Sequence, residues 1–155
     1  MEQKTTCQIC ERIIKSKTGV IAHHGYTRPD RGSGWQTASC WGARHLPYEK
    51  SCDQIQPCID HINQYIKNQQ ELNKELIENP PEKIGESYIS TMRERKYYDR
   101  PEGFDGAKNV EDDEQLYQTY QYEHKSLWKG HKYQIKTSKE DVVRLTKRLA
   151  NWKLQ

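Results

Sequence analysis

The sequence predicts an α+β protein in which a small head built on a β-hairpin precedes a mostly α-helical arm. The first 52 residues are rich in turn formers and contain only short apolar runs, whereas later segments carry apolar residues at three- and four-residue spacing. Only 33% of the 155 residues are hydrophobic. A chain this polar cannot bury a large apolar core, so it needs a staple such as a metal, or narrow apolar seams.

Two cysteines near the start of the chain have a spacing typical of metal binding. Cys7 and Cys10 are separated by two residues, which places two thiolates on one tight turn where they can hold one tetrahedral ion. The total of five cysteines is odd and argues against a disulfide framework. A redox pair would normally lie at a helix start within an α/β unit, and no such unit is evident. The pair therefore predicts a Zn²⁺ site.

A predicted β-hairpin supplies the other two ligands. Residues 20–22 form its first strand and residues 35–39 its second, joined by a loop rich in Pro and Gly. A hairpin closing opposite such a turn is the arrangement of zinc ribbons and treble clefs. Because adjacent strand residues point to opposite faces, only one of His23 and His24 should bind the ion, and we select His24 because Gly25 relieves crowding there. The predicted zinc ligands are Cys7, Cys10, His24 and Cys40.

A rival set of metal ligands lies further along the chain. Cys52, Cys58 and His61 have the spacing C-x5-C-x2-H. The two cysteines could instead be small apolar residues that fill space where the head meets the first helix, because free Cys is among the more buried residue types. We favour this second interpretation.

The head contains four short motifs: C-x-x-C at Cys7, H-H-G-Y-x-R-P at His23, C-x-G at Cys40 and L-P-Y-E at Leu46. Together they resemble the motifs of small zinc-finger-like proteins of bacteria and their phages and mobile elements. The resemblance covers about residues 7–60, followed by a helical tail. It implies a zinc site and no established activity. The loop departs from a simple R-P-G turn, since Asp30 and Arg31 separate Pro29 from Gly32.

The arm, residues 53–155, is predicted to begin with a helix over residues 57–78. Pro57 suits the first helical position, and isoleucines at three- and four-residue spacing follow it. The run Asn79-Pro80-Pro81 ends the helix. Residues 80–108 are predicted to form an irregular connection.

Two more helices are predicted, over residues 110–130 and 138–153. Gly130 weakens the first, and Thr137-x-x-Glu140 is a capping-box pattern at which the second would begin. One continuous helix is the alternative. The arm would then be a helical hairpin or coiled coil, closed within the chain or by a second copy in a homodimer. The predicted seam, at spacing 3, 4, 3, consists of Val142, Leu145, Leu149 and Trp152.

Charge and hydropathy limit the expected cellular location of the protein and the class of its binding partner. No apolar run approaches the roughly 18 residues of a membrane-spanning helix, and residues 1–4 show no secretory segment, so we expect a cytoplasmic protein. The net charge is +3. Basic residues of the head interleave with aromatic ones, which makes nucleic-acid binding one alternative. In the other interpretation the tryptophans form a small core beneath the zinc ion. The basic and aromatic residues of the nucleic-acid-binding alternative are Arg28, Arg31, Arg44, Trp35 and Trp41.

The expected function is binding rather than catalysis. Four protein ligands leave a zinc ion no open position for a substrate. With the resemblance, this indicates a protein-interaction module, in the setting of a phage or mobile-element protein that docks on a host complex and inhibits or modulates it. A further alternative is a metal-dependent nuclease of the His-Asn-His type that uses His23, His24 and His45. Such a site needs a His or Asn on a helix after the hairpin, and His45 is the only candidate there.

Overall fold

The chain has two hairpins and three helices within the part that the structure describes. The computed structural model describes residues 3–16, 19–25, 39–87, 94–112 and 119–153. Within these ranges four short strands pair as two antiparallel hairpins. The chain divides into two compact units, unit 1 with Met1–Asn63 and Glu140–Gln155, and unit 2 with Gln64–Lys139. The predicted α+β class is confirmed.

The first hairpin flanks the C-x-x-C turn. Strands β1 (Gln3–Thr6) and β2 (Ile13–Ser16) pair so that Thr6 lies opposite Ile13. The Thr5 hydroxyl donates to the Ile14 carbonyl at 3.0 Å. Neither strand was predicted, because β1 is entirely polar and has no alternating apolar residues.

The hairpin predicted further along is not regular. Residues 20–22 are not a strand, and most of the predicted second strand lies outside the described residues. Isolated backbone hydrogen bonds nevertheless join the two segments. The Ile21 amide donates to the His45 carbonyl at 2.8 Å, and the Cys40 amide donates to the His24 carbonyl at 2.9 Å. His24 and Cys40 are therefore adjacent, as predicted, although no regular β-ladder joins their segments.

Helix α1 (Ile55–Glu78) begins two residues before the predicted helix and ends where predicted. The Gln8 side chain fixes its start, because its amide oxygen accepts from the Gln54 amide at 3.0 Å and its amide nitrogen donates to Asp53 Oδ1 at 3.0 Å. Pro57 is the third helical residue rather than the first. It is tolerated there because the first-turn N–H groups have no helical partner.

Unit 1 closes its core with side chains from both ends of the chain. Leu145 is fully buried, and Val142 and Leu149 pack beside it. These residues were predicted to form a coiled-coil seam, but they pack against the cysteine-bearing segment. The observed division also differs from a boundary after residue 52, because the head has too few apolar residues to close a core alone. The core consists of Cys7, Ile9, Ile21, Ile55, Cys58, Ile59 and Leu145.

Unit 2 has regular structure where an irregular connection was predicted. Strands β3 (Lys83–Gly85) and β4 (Tyr97–Asp99) form an antiparallel hairpin, and α2 (Gly106–Glu111) follows. Asp105 caps α2 by accepting from the Lys108 amide at 3.1 Å. The Phe104 ring meets the His124 ring edge-on, with centroids 4.9 Å apart.

Helix α3 (Tyr120–Ala150) is continuous, so the alternative of one helix holds from residue 120 and the predicted break between 130 and 138 is wrong. Residues 113–118 of the helix predicted over 110–130 lie outside the described residues. Thr137 does not cap a new helix, because its hydroxyl donates backwards to the carbonyls of Tyr133 and Gln134 at 3.2 and 3.1 Å. Gly130 costs about 1 kcal/mol relative to Ala, too little to end a helix that has tertiary contacts.

The contacts of α3 within unit 2 are made with the second half of α1. His124 is fully buried, and its Nε2–H donates to the Leu76 carbonyl at 2.8 Å. The His131 Nδ1–H donates to Asn73 Oδ1 at 2.8 Å.

Among the described residues no helix has the length and apolar content needed to cross a membrane.

Candidate metal centre

The structure brings the four predicted ligand residues together. One ligand atom from each of Cys7, Cys10, His24 and Cys40 lies within 4.8 Å of the other three. The sulfurs of Cys7 and Cys40 are 3.8 Å apart. Two sulfurs bound to one tetrahedral Zn²⁺ at about 2.3 Å would be about 3.8 Å apart, so this spacing fits zinc.

The other two candidate ligands, Cys10 and His24, are joined by a hydrogen bond. Cys10 Sγ lies 3.1 Å from His24 Nε2, with the thiol as donor. Ligand distances of about 2.3 Å for sulfur and 2.0 Å for nitrogen would widen this separation to roughly 3.5 Å. For this pair, an increase of a few tenths of an ångström would therefore reach the separation expected in a tetrahedral site.

His24 is oriented by a hydrogen bond to a backbone carbonyl two residues earlier. Its Nδ1–H donates to the Ala22 carbonyl at 2.8 Å, which leaves the lone pair of Nε2 directed at the cysteines. His24 is buried, whereas His23 is exposed and accepts a hydrogen bond from Arg44 Nε at 2.6 Å. The two side chains thus point to different surroundings, and the predicted choice of His24 agrees with the geometry.

Gly42 allows the Cys40 loop to pack directly on the first ligand. A Cβ atom at this position would lie 2.5 Å from Cys7 Sγ and 3.4 Å from Ile9 Cγ1. Real Cβ atoms do not approach sulfur so closely, so the C-x-G spacing at Cys40 and Gly42 reflects a steric requirement. The loop is also held by Ser39, whose hydroxyl donates to the His24 carbonyl at 3.0 Å.

The sulfurs of Cys7 and Cys40 form a hydrogen-bonded pair. The Cys40 thiol, with the N–H groups of Cys10 and Ile9, lowers the pKa of Cys7 to about 4 against the opposing effect of burial. The pKa of Cys40 is raised because its proton is held by the Cys7 sulfur and because it is partly buried. A divalent cation between the sulfurs would displace this proton and bind both as thiolates.

Two arginines of α3 bind the carbonyls of the C-x-x-C turn. Arg144 Nη1 donates to the Ile9 carbonyl at 2.7 Å, and Arg148 donates to the carbonyls of Gln8 and Cys7 at 2.8 and 3.1 Å. Three thiolates and a neutral imidazole around Zn²⁺ carry a net charge of −1. The guanidinium groups therefore lie where positive charge favours the loaded site. Neither arginine was predicted to support the site, since no local pattern links positions more than 130 residues apart.

The L-P-Y-E motif holds Arg148 in place. The Arg148 guanidinium lies 3.6 Å from the Tyr48 ring centroid, and the Tyr48 hydroxyl donates to the Arg148 carbonyl at 2.8 Å. The Glu49 carboxylate accepts from the Thr6 amide at 3.0 Å. Trp152 Nε1 donates to the Tyr48 carbonyl at 2.7 Å. This motif supports the turn rather than supplying ligands.

The other candidate ligands lie elsewhere. Cys58 is buried in the core, Cys52 packs against it, and His61 is exposed on α1. The space-filling interpretation of the two cysteines is confirmed. Residues 3–16, 19–25, 39–87, 94–112 and 119–153 contain no second group of metal-ligating side chains. Trp41 is 40% exposed, with its ring 5.0 Å from the His61 ring, so the idea that it forms the core beneath the ion is wrong.

The residues proposed for nucleic-acid binding by the head are only partly described. Arg28, Arg31 and Trp35 lie outside the described residues, whereas Arg44 and Trp41 are exposed. Of the three histidines considered for a nuclease, only His24 belongs to the cluster. The His45 backbone carbonyl accepts a hydrogen bond from the Ile21 amide.

Comparisons with protein-family models, with curated proteins and with solved structures give no match to this chain. The assignment of the site therefore depends on its own geometry. Four donors converge in a partly buried cluster whose chemistry and spacing suit a tetrahedral cation.

Proposed function

We propose that unit 1 is a zinc-binding module in which the cation is structural. The observation that carries this proposal is the convergence of three cysteine sulfurs and one imidazole nitrogen within 4.8 Å. Thiolate-rich tetrahedral sets favour zinc over the hard cations Ca²⁺ and Mg²⁺, which bind oxygen ligands. The ligands come from three separate segments, so one ion would tie these segments together.

A structural role follows from the number of ligands and the size of the core. Four protein ligands occupy every position of a tetrahedral ion and leave none for water or a substrate. Among the described residues, the buried hydrophobic cluster of unit 1 consists of seven side chains, two of them cysteines. A core of this size needs an additional constraint, and metal binding supplies folding free energy directly.

The closed site supports a role in binding rather than catalysis. We propose that the protein docks on another macromolecule, and that the resemblance to zinc-finger-like proteins of phages and mobile elements makes a host protein complex the expected partner. The ion would then maintain the docking surface without taking part in chemistry.

The metal content of the purified protein tests the proposal. We expect one zinc ion per chain by elemental mass spectrometry. Cys7→Ser, Cys40→Ser and His24→Ala should each lower this stoichiometry strongly. Cys52→Ser is the matched control, because Cys52 is a partly buried thiol outside the cluster. Equal zinc content in the cluster variants and the control would exclude this site.

Cobalt substitution tests whether the site is closed. Co²⁺ bound by three thiolates and one imidazole should show the intense d–d absorption of tetrahedral coordination. A weak spectrum typical of five or six ligands would indicate an open position, and the structural role would then be wrong. His23→Ala should leave the cobalt spectrum unchanged, since its side chain faces Arg44.

A further inference from the structure

A line of lysines follows one face of α3 within unit 2. Residues 125–139 contain five lysines and no Asp or Glu. The lysines are separated by 4, 3, 4 and 3 residues. At about 100° per residue this spacing confines them to an arc of roughly 80° on the helix surface. The line consists of Lys125, Lys129, Lys132, Lys136 and Lys139.

Four of these lysines face solvent. Lys129, Lys132, Lys136 and Lys139 are exposed, whereas Lys125 is buried. We call these four exposed residues the lysine stripe. The ion pairs recorded among the described parts of the chain involve none of them. Like charges three and four residues apart repel one another on a helix. Residues 125–139 contain no carboxylate, and Glu140, four residues after Lys136, is the first one that follows.

The stripe runs past aromatic side chains. The Lys132 ammonium lies 4.4 Å from the Trp128 ring centroid, which holds the Trp128 ring beside the stripe. Tyr133 is 69% exposed on the adjacent part of the helix. The other side of α3 is occupied, since Tyr120 and His124 are buried in unit 2. The exposed face is therefore basic with aromatic flanks rather than apolar.

We propose that the lysine stripe binds the phosphate backbone of a nucleic acid without base specificity. The four lysines extend over about 15 Å of helix axis at 1.5 Å per residue. Duplex DNA presents one negative charge per about 1.7 Å of its axis, so a stripe of this length meets a continuous line of phosphates. Aromatic rings beside a line of basic side chains also suit stacking of unpaired bases.

Charge and hydropathy favour this partner over a membrane surface. A helix that binds in the bilayer interface places an apolar face among the acyl chains. The apolar and aromatic residues of the buried side of α3 are used in packing, and the exposed side presents lysines. An anionic lipid surface would meet the charges, but the exposed apolar side chains of α3 in unit 2 do not form a continuous face. Tyr122, Leu127 and Tyr133 are separated by five and six residues.

Binding of the intact, metal-loaded chain to fluorescein-labelled oligonucleotides tests the proposal by fluorescence anisotropy. The probes are a single-stranded oligo-dT and a mixed-sequence duplex. Neutralising four phosphates predicts an affinity loss of roughly 50-fold for the single strand and 150-fold for the duplex between about 50 and 200 mM salt. Vesicles containing phosphatidylserine serve as the anionic lipid probe.

Two quadruple variants separate the stripe from net charge. K129Q/K132Q/K136Q/K139Q should lower affinity by more than about tenfold and flatten the salt dependence, since the phosphate contacts are lost. The matched control has the same change in charge at exposed lysines outside the stripe, Lys50, Lys67, Lys96 and Lys108. It should retain most of the affinity. Gln has a helix propensity close to that of Lys, and the double variants K129Q/K136Q and K132Q/K139Q give smaller effects of the same sign.

Three outcomes would overturn the proposal. One is absence of oligonucleotide binding at low salt. Another is an equal loss of affinity in the stripe and control variants, which would indicate net charge alone. The third is binding to the vesicles with no binding to either oligonucleotide. A larger effect of Tyr133→Ala on the single strand than on the duplex would identify stacking beside the stripe.

Discussion

Arg148 shows how a single residue near the end of the chain supports a metal site near its start. Its guanidinium donates to two consecutive carbonyls of the C-x-x-C turn and lies on the Tyr48 ring. The side chain is only 13% exposed, so these bonds are largely shielded from water. Its ion pair with Glu11, at 3.7 Å and with the carboxylate 46% exposed, contributes little by comparison. The carbonyl bonds are therefore the main contribution of Arg148.

Arg148→Gln should destabilise unit 1 and weaken zinc binding. Loss of hydrogen bonds from a charged donor to partly buried carbonyls costs about 1.5–3 kcal/mol, and loss of partners behind metal ligands typically weakens affinity about 10–100-fold. Urea unfolding and competition with a chromophoric chelator measure the two effects.

Lys147→Gln is the matched control, since this neighbour is exposed. Arg148→Lys should not rescue the loss, because one ammonium group cannot bridge both carbonyls and stack on Tyr48. Zinc affinity equal to that of the unchanged protein in Arg148→Gln would show that the turn does not need this contact.

Two elements differ in whether they tolerate a side chain at a glycine. The turn at Cys40 has no space for one, whereas helix α3 does. In the turn, Gly42 packs against Cys7 Sγ with no room for a side chain. In α3, a Cβ at Gly130 would meet no atom within 4 Å. The same substitution therefore tests the packing of one element and the helix propensity of the other.

Gly42→Ala should weaken zinc binding, because its methyl group would require Cys7 or the Cys40 loop to move away from the tetrahedral position. We expect an affinity loss of at least about tenfold, comparable to loss of a supporting contact. Isothermal titration of the metal-free protein with zinc gives the measurement. Unchanged affinity would mean that the loop can shift without disturbing the ligands.

Gly130→Ala should stabilise the protein by about 0.5–1 kcal/mol, because Ala loses less conformational entropy in a helix and meets no steric obstacle here. Urea unfolding followed by circular dichroism measures the change. Zinc affinity should not change. A destabilising effect would contradict the observed continuity of α3 through this position.

At the scale of the whole molecule, the two units differ in what holds them together. Unit 1 combines a small apolar core with the four candidate ligands. Unit 2 contains buried polar groups, among them His124 and Glu123, with Glu123 accepting from the Ser87 amide at 2.9 Å. The two units should therefore respond to different treatments.

Removal of the metal should unfold unit 1 selectively. A strong chelator would take away the constraint that joins Cys7, His24 and Cys40, whereas unit 2 contains none of the candidate ligands. Hydrogen-exchange mass spectrometry at constant pH should show lost protection in peptides from residues 3–16 and 39–52. Peptides from residues 64–78 should keep theirs. Full protection of the first group after verified metal removal would contradict a structural role for the ion.

Mild acid should destabilise unit 2. Burial lowers the pKa of His124 from its usual 6.5, against the opposing effect of the Leu76 carbonyl, and burial also lowers the pKa of His131. The unfolded chain then binds more protons than the folded one below about pH 6.5. Both histidines therefore contribute stability above this pH, and the contribution falls as the pH decreases toward their folded pKa values.

Hydrogen exchange in peptides from residues 120–139, corrected for intrinsic rates, measures this effect at about pH 7.5 and 5.5. The double variant H124Q/H131Q should show less additional opening at the lower pH, since neither replacement titrates. His61→Gln, at an exposed position of α1 in unit 1, is the control. Equal pH dependence in the double variant and the unchanged protein would exclude these two histidines as the cause.

Much of the candidate site could be predicted from the sequence because its ligands follow local rules. Two cysteines three positions apart specify a turn that can hold one ion, and the remaining donors follow within about 30 residues. Helix α1 was also predictable, from its isoleucine spacing and the prolines after it. The reason given for His24 was incomplete, since its bond to the Ala22 carbonyl orients the ring.

The sequence by itself determined the α+β class, the four residues that converge and the extent of α1. Only the tertiary structure decided that Arg144 and Arg148 support the C-x-x-C turn and that Leu145 completes the core of unit 1. It also decided that α3 continues through Gly130 and Thr137. The physical reason is range: spacing encodes neighbours along a turn or helix, whereas contacts between distant segments depend on the shape and burial that folding creates.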